Sequence, residues 1–186
     1  MKTTRLFVLA AFVLTPAFSQ NGPGPRGPQN QTPVAVLPAT AEEIQSLSYM
    51  REEEKLARDV YRFLFARWNY AAFDRIATSE QQHFATIGTL LTRYNIPDPV
   101  AVDTPGVFAH PKLVALYTEL TAKGSLSLRD ALEVGVSIEK LDIADLTAAS
   151  TTTKLDIKRV YTNLMLASFN HLDAFEAGLE LLAAVQ

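Results

Sequence analysis

The sequence is expected to fold as an all-α protein: an antiparallel bundle of four long helices, with a short additional helix between the second and third long ones. Three observations predict this. Prolines, which break helix interiors, are missing between Ala39 and Ile96 and again from Lys112 to the C-terminus. No run of alternating Val, Ile, Thr and aromatic residues is bracketed by hairpin turns, so strand signals are lacking. Helix-capping patterns recur where each apolar periodicity begins.

The elements follow in order. Thr40 followed by Glu43 is a capping-box pattern that opens a first helix reaching about Trp68. A second spans about Phe73 to Tyr94 and is stopped by Asn95 and the pair Pro97 and Pro99. A short third one starts at Pro111, a favoured first-turn residue, and ends at Gly124. Ser127 with Asp130 opens a fourth reaching about Leu146, and Thr153 with Asp156 opens a fifth reaching about Ala184. The segment from Asn95 to His110 is long and irregular, whereas the other connections are short enough to fold neighbouring helices back antiparallel.

Ahead of this helical domain, residues 40–186, stand two appendages. Lys2 and Arg5 precede an apolar run from Leu6 to Leu14, then Pro16 and the small-residue pattern Ala17-Phe18-Ser19, so residues 1–19 resemble a secretory signal peptide. The run is about half of the ~20 residues a membrane-spanning helix needs, and no permanent membrane anchor is expected. Residues 20–39 carry Pro23, Pro25, Pro28, Pro33 and Pro38 with Gly22, Gly24 and Gly27, the composition of a flexible linker. The expected location is periplasmic or secreted. A net charge of -3 supplies no basic field for nucleic acid. The lack of cysteine excludes disulfides, thiol catalysis and sulfur-ligated metals, so any metal must be held by oxygen and nitrogen.

The helix seams carry the chemistry. Steps of three and four give Leu47, Met50, Glu54, Ala57, Tyr61, Leu64 and Trp68 on the first helix, and Phe73, Ile76, Glu80, His83, Ile87, Leu90 and Tyr94 on the second. Further on they give Leu128, Leu132, Gly135, Glu139, Asp142 and Leu146, then Ile157, Tyr161, Leu164, Ser168, His171 and Phe175. Every long helix thus places polar or ionisable groups mid-seam. An ionised carboxylate removed from water costs several kcal/mol, and four together would exceed the ~5–15 kcal/mol that stabilises a domain. Glu54, Glu80, Glu139 and Asp142 balance two divalent cations, and His83 and His171 add neutral nitrogens. The E-x-x-H spacing of Glu80 and His83 sets both on one helix face. Mixed oxygen and nitrogen ligation suits iron or manganese better than calcium or structural zinc.

These residues also resemble a known family. Glu54 to Tyr61, E-x-x-A-R-x-x-Y, is similar to the first-helix motif of rubrerythrin-type members of the ferritin-like superfamily, and Glu80-Gln81-Gln82-His83 to their second-helix ligand motif. YMREEEKLARDVY (49–61), SEQQH (79–83), IEKLDIAD (138–145) and NHLDAF (170–175) resemble domain-of-unknown-function family 2202, placed among ferritin-like proteins. The likeness covers residues 41–176 and implies a ferritin-like four-helix bundle with a metal centre, without implying a settled reaction. Where ferritin-like proteins usually carry a second E-x-x-H, this chain has Ser168-Phe169-Asn170-His171. Asp142 then restores the carboxylate count; without it a single-metal site is the expectation. No rubredoxin-like cysteine module is present, so reduction of peroxide would draw on an external electron donor.

The expected metal ligands are therefore Glu54, Glu80, His83, Glu139, Asp142 and His171, around a di-iron centre with manganese as the alternative metal. Tyr61 and Tyr161 are either core aromatics or hydrogen-bond donors and radical relays beside the metal. Glu52 and Glu53 are expected to be solvated or paired with Arg51, Lys55 or Arg58, although a rotation of the helix would bring Glu53 inward; Glu54 ranks first of the three, and His110 is expected on the surface. The expected function is ferrous iron oxidation or the handling of oxygen or peroxide. Non-catalytic iron capture in the cell envelope, and a structural or partner-binding bundle, are the alternatives. A homo-oligomer is compatible with the sequence.

Overall fold

A computed structural model describes residues 37–151 and 154–184. The expected signal peptide, nearly all of the proline-rich linker and the Thr153 cap lie outside the described residues. Among the described residues there are five helices and no strand: α1 (Ala41–Trp68), α2 (Ala71–Arg93), α3 (Pro111–Gly124), α4 (Leu128–Ala149) and α5 (Leu155–Ala184). None of these helices is long and apolar enough to cross a membrane.

Local chemistry sets the boundaries. The Thr40 hydroxyl accepts the Glu43 N–H at 3.2 Å while the Glu43 carboxylate accepts the Thr40 N–H at 2.9 Å, so the capping box forms reciprocally. Helix α1 ends on Asn69 in the left-handed region (φ 49°), a conformation that Asn tolerates better than most residues. That sharp reversal lets α2 start at Ala71, slightly before the expected Phe73. The Ser127 hydroxyl accepts the Asp130 N–H at 3.0 Å to open α4, which continues beyond Leu146 to Ala149.

Contacts between helices reveal their directions. Along α1, Glu54 and Arg58 meet His83 and Gln81, and Tyr61 meets Phe73, so α2 runs opposite to α1. Gly135, Glu139 and Asp142 meet Phe175, His171 and Ser168, so α4 and α5 are likewise opposed. Glu80 faces His171 and Tyr94 faces Asp156, which opposes α2 to α5. Helices α2 and α4 therefore run the same way, and the chain between them must cross the length of the bundle. Residues 94–110 and α3 make that crossing.

The buried apolar residues divide into two clusters. One gathers Leu56, Val60, Tyr61, Leu64, Phe73, Leu132, Ile138 and Phe175; the other gathers Leu47, Met50, Ile87, Leu91, Leu146, Ile157 and Tyr161. Glu54, Glu80, His83, Glu139, Asp142, Ser168 and His171 are buried at the sequence positions between them. A polar layer thus cuts the hydrophobic core in two.

Helix α1 departs from the expectation of one buried seam and a wet outer face. Every residue from Met50 to Tyr61 is buried, because the crossing segment is built on its outer side. Arg51 pairs with Asp98 at 2.8 Å, Arg58 with Asp103, and Lys55 donates to the Thr104 carbonyl at 2.7 Å. Asp59 accepts from Lys55 at 2.6 Å, from Arg58 at 2.8 Å and from the Gly106 N–H at 3.0 Å. Gly106 sits at φ 73°, where a Cβ would also meet the Tyr117 ring at 2.8 Å. Glu52, expected to be solvated or paired with a neighbouring cation, instead accepts the N–H groups of Ala109 and His110 at the start of α3. The physical reason for both corrections is the same: long charged side chains satisfy the backbone of an irregular segment that would otherwise lose its water.

One glycine fixes the spacing of the polar layer. A Cβ at Gly135 would meet the Phe175 ring at 2.7 Å, one turn from Glu139. Gly135→Ala is expected to force α4 and α5 apart and to cost about 1–3 kcal/mol by overpacking. Chemical denaturation measures this; a loss below about 0.5 kcal/mol would mean that the ring moves aside freely.

Candidate metal centre

Two groups of three residues form where the four long helices meet. Ligand atoms of Glu54, Glu80 and His83 lie within 4.8 Å of one another, and so do those of Glu80, Glu139 and His171. Glu80 belongs to both. Its Oε2 lies 2.7 Å from His83 Nδ1 and its Oε1 lies 2.8 Å from His171 Nδ1. Glu54 Oε2 is 3.2 Å from the His83 nitrogen, and Glu139 Oε2 is 3.5 Å from the His171 nitrogen. The two imidazoles stack with ring centres 5.7 Å apart. Helix α1 supplies Glu54, α2 supplies Glu80 and His83, α4 supplies Glu139, and α5 supplies His171.

Five of the six expected ligands thus converge. The sixth, Asp142, is buried one turn beyond Glu139 but belongs to neither group, so it does not restore the ligand count as expected; the second group forms instead because Glu80 is shared between the two. Its Oδ2 lies 2.5 Å from the Ser168 hydroxyl, and its Oδ1 has no partner. Ser168 is therefore a hydrogen-bonding residue as well as a small one. Tyr61 donates to Glu139 Oε1 at 2.6 Å, which leaves Oε2 facing His171. Tyr161 bonds with Ser46 at 2.8 Å in the second apolar cluster. Its hydroxyl makes no hydrogen bond to a candidate ligand among the described residues. His110 is exposed, as expected, with its ring edge-on to Tyr49.

Electrostatics shows how the cluster behaves without cations. Burial pulls the His83 pKa down, but the Glu54 and Glu80 carboxylates outweigh it and raise it to about 11. His171 is raised to about 9, the Glu139 and Glu80 carboxylates again overcoming burial. Burial would raise Glu80, yet the two histidines bring it down to about 2. Burial pushes Glu139 up to about 7 and holds Glu54 and Asp142 well above the ordinary carboxylate range. Protons thus neutralise the charge when metal does not.

Two consequences follow for pH. A histidine raised above its unfolded value near 6.5 stabilises the metal-free fold fully below that value and ceases to do so as pH rises through about 9 and 11. Glu139, raised from 4.5 to about 7, acts with the same sign because its ionisation is disfavoured in the fold. The melting temperature of chelator-treated protein is expected to fall between pH 6.5 and pH 10. Cation loading near neutrality should expel the two imidazolium protons together with those held by the buried carboxyls, at least about two per chain. Calorimetry in buffers of different ionisation enthalpy measures this release, and a zero slope would contradict it.

His171 Nδ1 and Glu80 Oε1 stand 2.8 Å apart as an ion pair, and neither makes a well-directed hydrogen bond. Glu54 Oε1 is also without a partner. Adjacent ligands of one cation at about 2.1 Å would stand about 3 Å apart without pointing at each other. Buried polar atoms are ordinarily satisfied, so these three orphans within the two groups fit a cation on each side of Glu80.

Fold and site together define a helical bundle with a buried carboxylate and histidine cluster at its middle. The chain belongs to the family described as an uncharacterized protein domain, DUF2202, which matches residues 43–184. It is 52% identical over 139 residues to the uncharacterized protein MJ0754 of Methanocaldococcus jannaschii, covering 74% of this chain and 75% of that protein. The crystal structure of hypothetical protein MJ0754 from Methanococcus jannaschii superposes with a TM-score of 0.78 at 48% identity, over 82% of this chain and 87% of that one. A DUF305 fragment from Deinococcus radiodurans shares the fold alone, with a TM-score of 0.58 at 16% identity over 77% of this chain and 99% of that one.

Sequence reasoning ranked Glu53 behind Glu54 and gave Asp145 no role. Glu53 was expected in solvent or paired with a cation, but it is buried and neither of its oxygens has a donor. The available signal was spacing: Asp145 lies one helical turn beyond Asp142, and Glu53 one turn beyond Tyr49.

Proposed function

We propose that this is an exported, ferritin-like four-helix-bundle protein whose centre holds two iron ions, or iron with manganese, and that it acts in ferrous iron oxidation or in handling oxygen or peroxide. The shared Glu80 carries this reading: one carboxylate reaches a histidine on each side, within groups that also contain Glu54 and Glu139. The long crossing between the parallel helices α2 and α4 supports the ferritin-like arrangement, in which one such connection occurs.

Bound iron would supply the redox chemistry. The chain's residues do the rest. Glu80, whose two oxygens face the two histidine nitrogens, would serve both positions. His83 and His171 would each present Nδ1, and Glu54 and Glu139 would add one carboxylate per side; with Glu80 they supply three negative charges, and an ionised Asp142 beside the layer would supply the fourth. Tyr61 fixes the rotamer of Glu139 through its hydroxyl. The apolar clusters on either side exclude bulk water, which strengthens every ionic contact in the layer.

Full-length protein freed of its leader, supplied anaerobically with ferrous iron and then with oxygen or peroxide, tests this. Repeated turnover supports a catalyst, and a single stoichiometric oxidation with iron retained supports capture. No iron uptake, or uptake and rate unchanged in a Glu80→Ala, His83→Ala double variant, would remove the proposal.

A further inference from the structure

The bundle carries a second acidic group that the metal centre does not use. Glu53 on α1 is 2% exposed, and neither of its carboxylate oxygens has a hydrogen-bond donor. The charges acting most strongly on it are Asp142 and Asp145 on α4, and the Asp145 carboxyl is within hydrogen-bonding reach. Two carboxyls without a donor between them need a proton or a cation to lie together, and the Lys112 ammonium, which acts on both from the groove, supplies only part of that charge. Asp145 is half-buried and lines a surface groove of about 650 Å³ between α1, the start of α3 and the end of α4. Glu42 lies on the same groove, and Lys112 stands there with its ammonium 3.2 Å from the Tyr49 hydroxyl. On the inner side, Asp142 keeps Oδ1 without a partner, and its strongest ionic neighbours are Glu54 and Glu80.

We propose that Asp145 and Glu53 form a transit site for divalent cations, passing them from this groove to Asp142 and onward to the centre, with Lys112 as a repelling charge beside the opening. The proposal rests on the metal-binding reading above, but it concerns how cations arrive rather than where they reside. Desolvating a cation in the absence of compensating oxygens costs far more than binding returns, so a course lined by carboxylates lowers the cost of reaching a buried centre. Carboxylates spaced along one course replace the hydration shell stepwise. Their spread is the useful feature: these three do not draw together into a closed ligand group, as the residues around Glu80 do.

Metal-stripped full-length chain is mixed anaerobically with cobalt(II) chloride in a stopped-flow instrument and followed by visible absorbance; final stoichiometry is then measured after dialysis. Asp145→Asn and Glu53→Gln are expected to slow loading by about fivefold or more, and Lys112→Ala to accelerate it, all reaching the wild-type stoichiometry. Asp145 is only half-buried, so its variant keeps the test alive should Glu53→Gln fold poorly. A general weakening of the fold would not give opposite signs for Asp145 and Lys112. Wild-type rates in both acid variants would overturn the proposal. Loss of a bound equivalent in Glu53→Gln would also overturn it, by making Glu53 a resident ligand. Wild-type protein that binds no cobalt would bring down the metal centre itself, and the transit site with it.

Discussion

Glu80→Ala is expected to abolish cation binding on both sides of the centre, whereas His83→Ala and His171→Ala should each lose one side. The asymmetry follows from geometry, since Glu80 alone reaches both imidazoles. Removing groups that merely support ligands costs about 10–100-fold in affinity, and loss of a shared ligand should cost at least about 100-fold. Cation bound to the folded state alone contributes about 2.7 kcal/mol at a hundredfold excess over Kd, so the wild-type melting temperature should rise by roughly 5–11 °C on loading. Glu80→Ala should show no such rise. Titration calorimetry with manganese and thermal melts with and without chelator measure both effects. Equal losses in all three variants would argue against two positions sharing one bridge.

Asp59→Ala is expected to destabilise the fold by up to about 3–5 kcal/mol, because it leaves two buried cations with only the partly exposed Asp103 as a carboxylate partner. Lys55, Arg58 and Asp59 all lie in the interior, and Asp59 also receives the Gly106 N–H. The damage should reach beyond α1, since Gly106 belongs to the segment that α1 holds in place. Hydrogen exchange in residues 95–110 is expected to accelerate along with the drop in denaturation midpoint. A loss below about 1 kcal/mol, with unchanged exchange, would mean that water reaches Lys55 and Arg58 readily.

Why some of this was legible in the sequence and some was not comes down to what faces each helix. Glu54, Glu80, His83, Glu139 and His171 stood out because each interrupts an apolar stripe, and a residue in line with Leu and Phe at steps of three and four must share their burial. Helix ends were legible for local reasons, such as the Thr40 and Glu43 pair or Pro111. The same periodicity misjudged Glu52 and Glu53, since it assumes that the opposite helix face meets water. In α1 that face meets the crossing segment, whose irregular backbone leaves no periodic trace. Ser168 and Asp142 show a related limit: spacing brought them to one layer, but only the structure pairs the hydroxyl with the carboxylate. Tyr61 and Tyr161 occupy equivalent seam positions, and their different partners, Glu139 and Ser46, depend on helix stagger along the bundle.

The most direct test is crystallographic: anomalous scattering from full-length protein loaded with manganese or, anaerobically, with iron. Two peaks are expected, one among Glu54, Glu80 and His83 and the other among Glu80, Glu139 and His171, each within about 2.0–2.3 Å of its nearest Nδ1. A map with no peak in this layer, and with imidazolium rings hydrogen-bonded to the carboxylates in loaded crystals, would contradict the account.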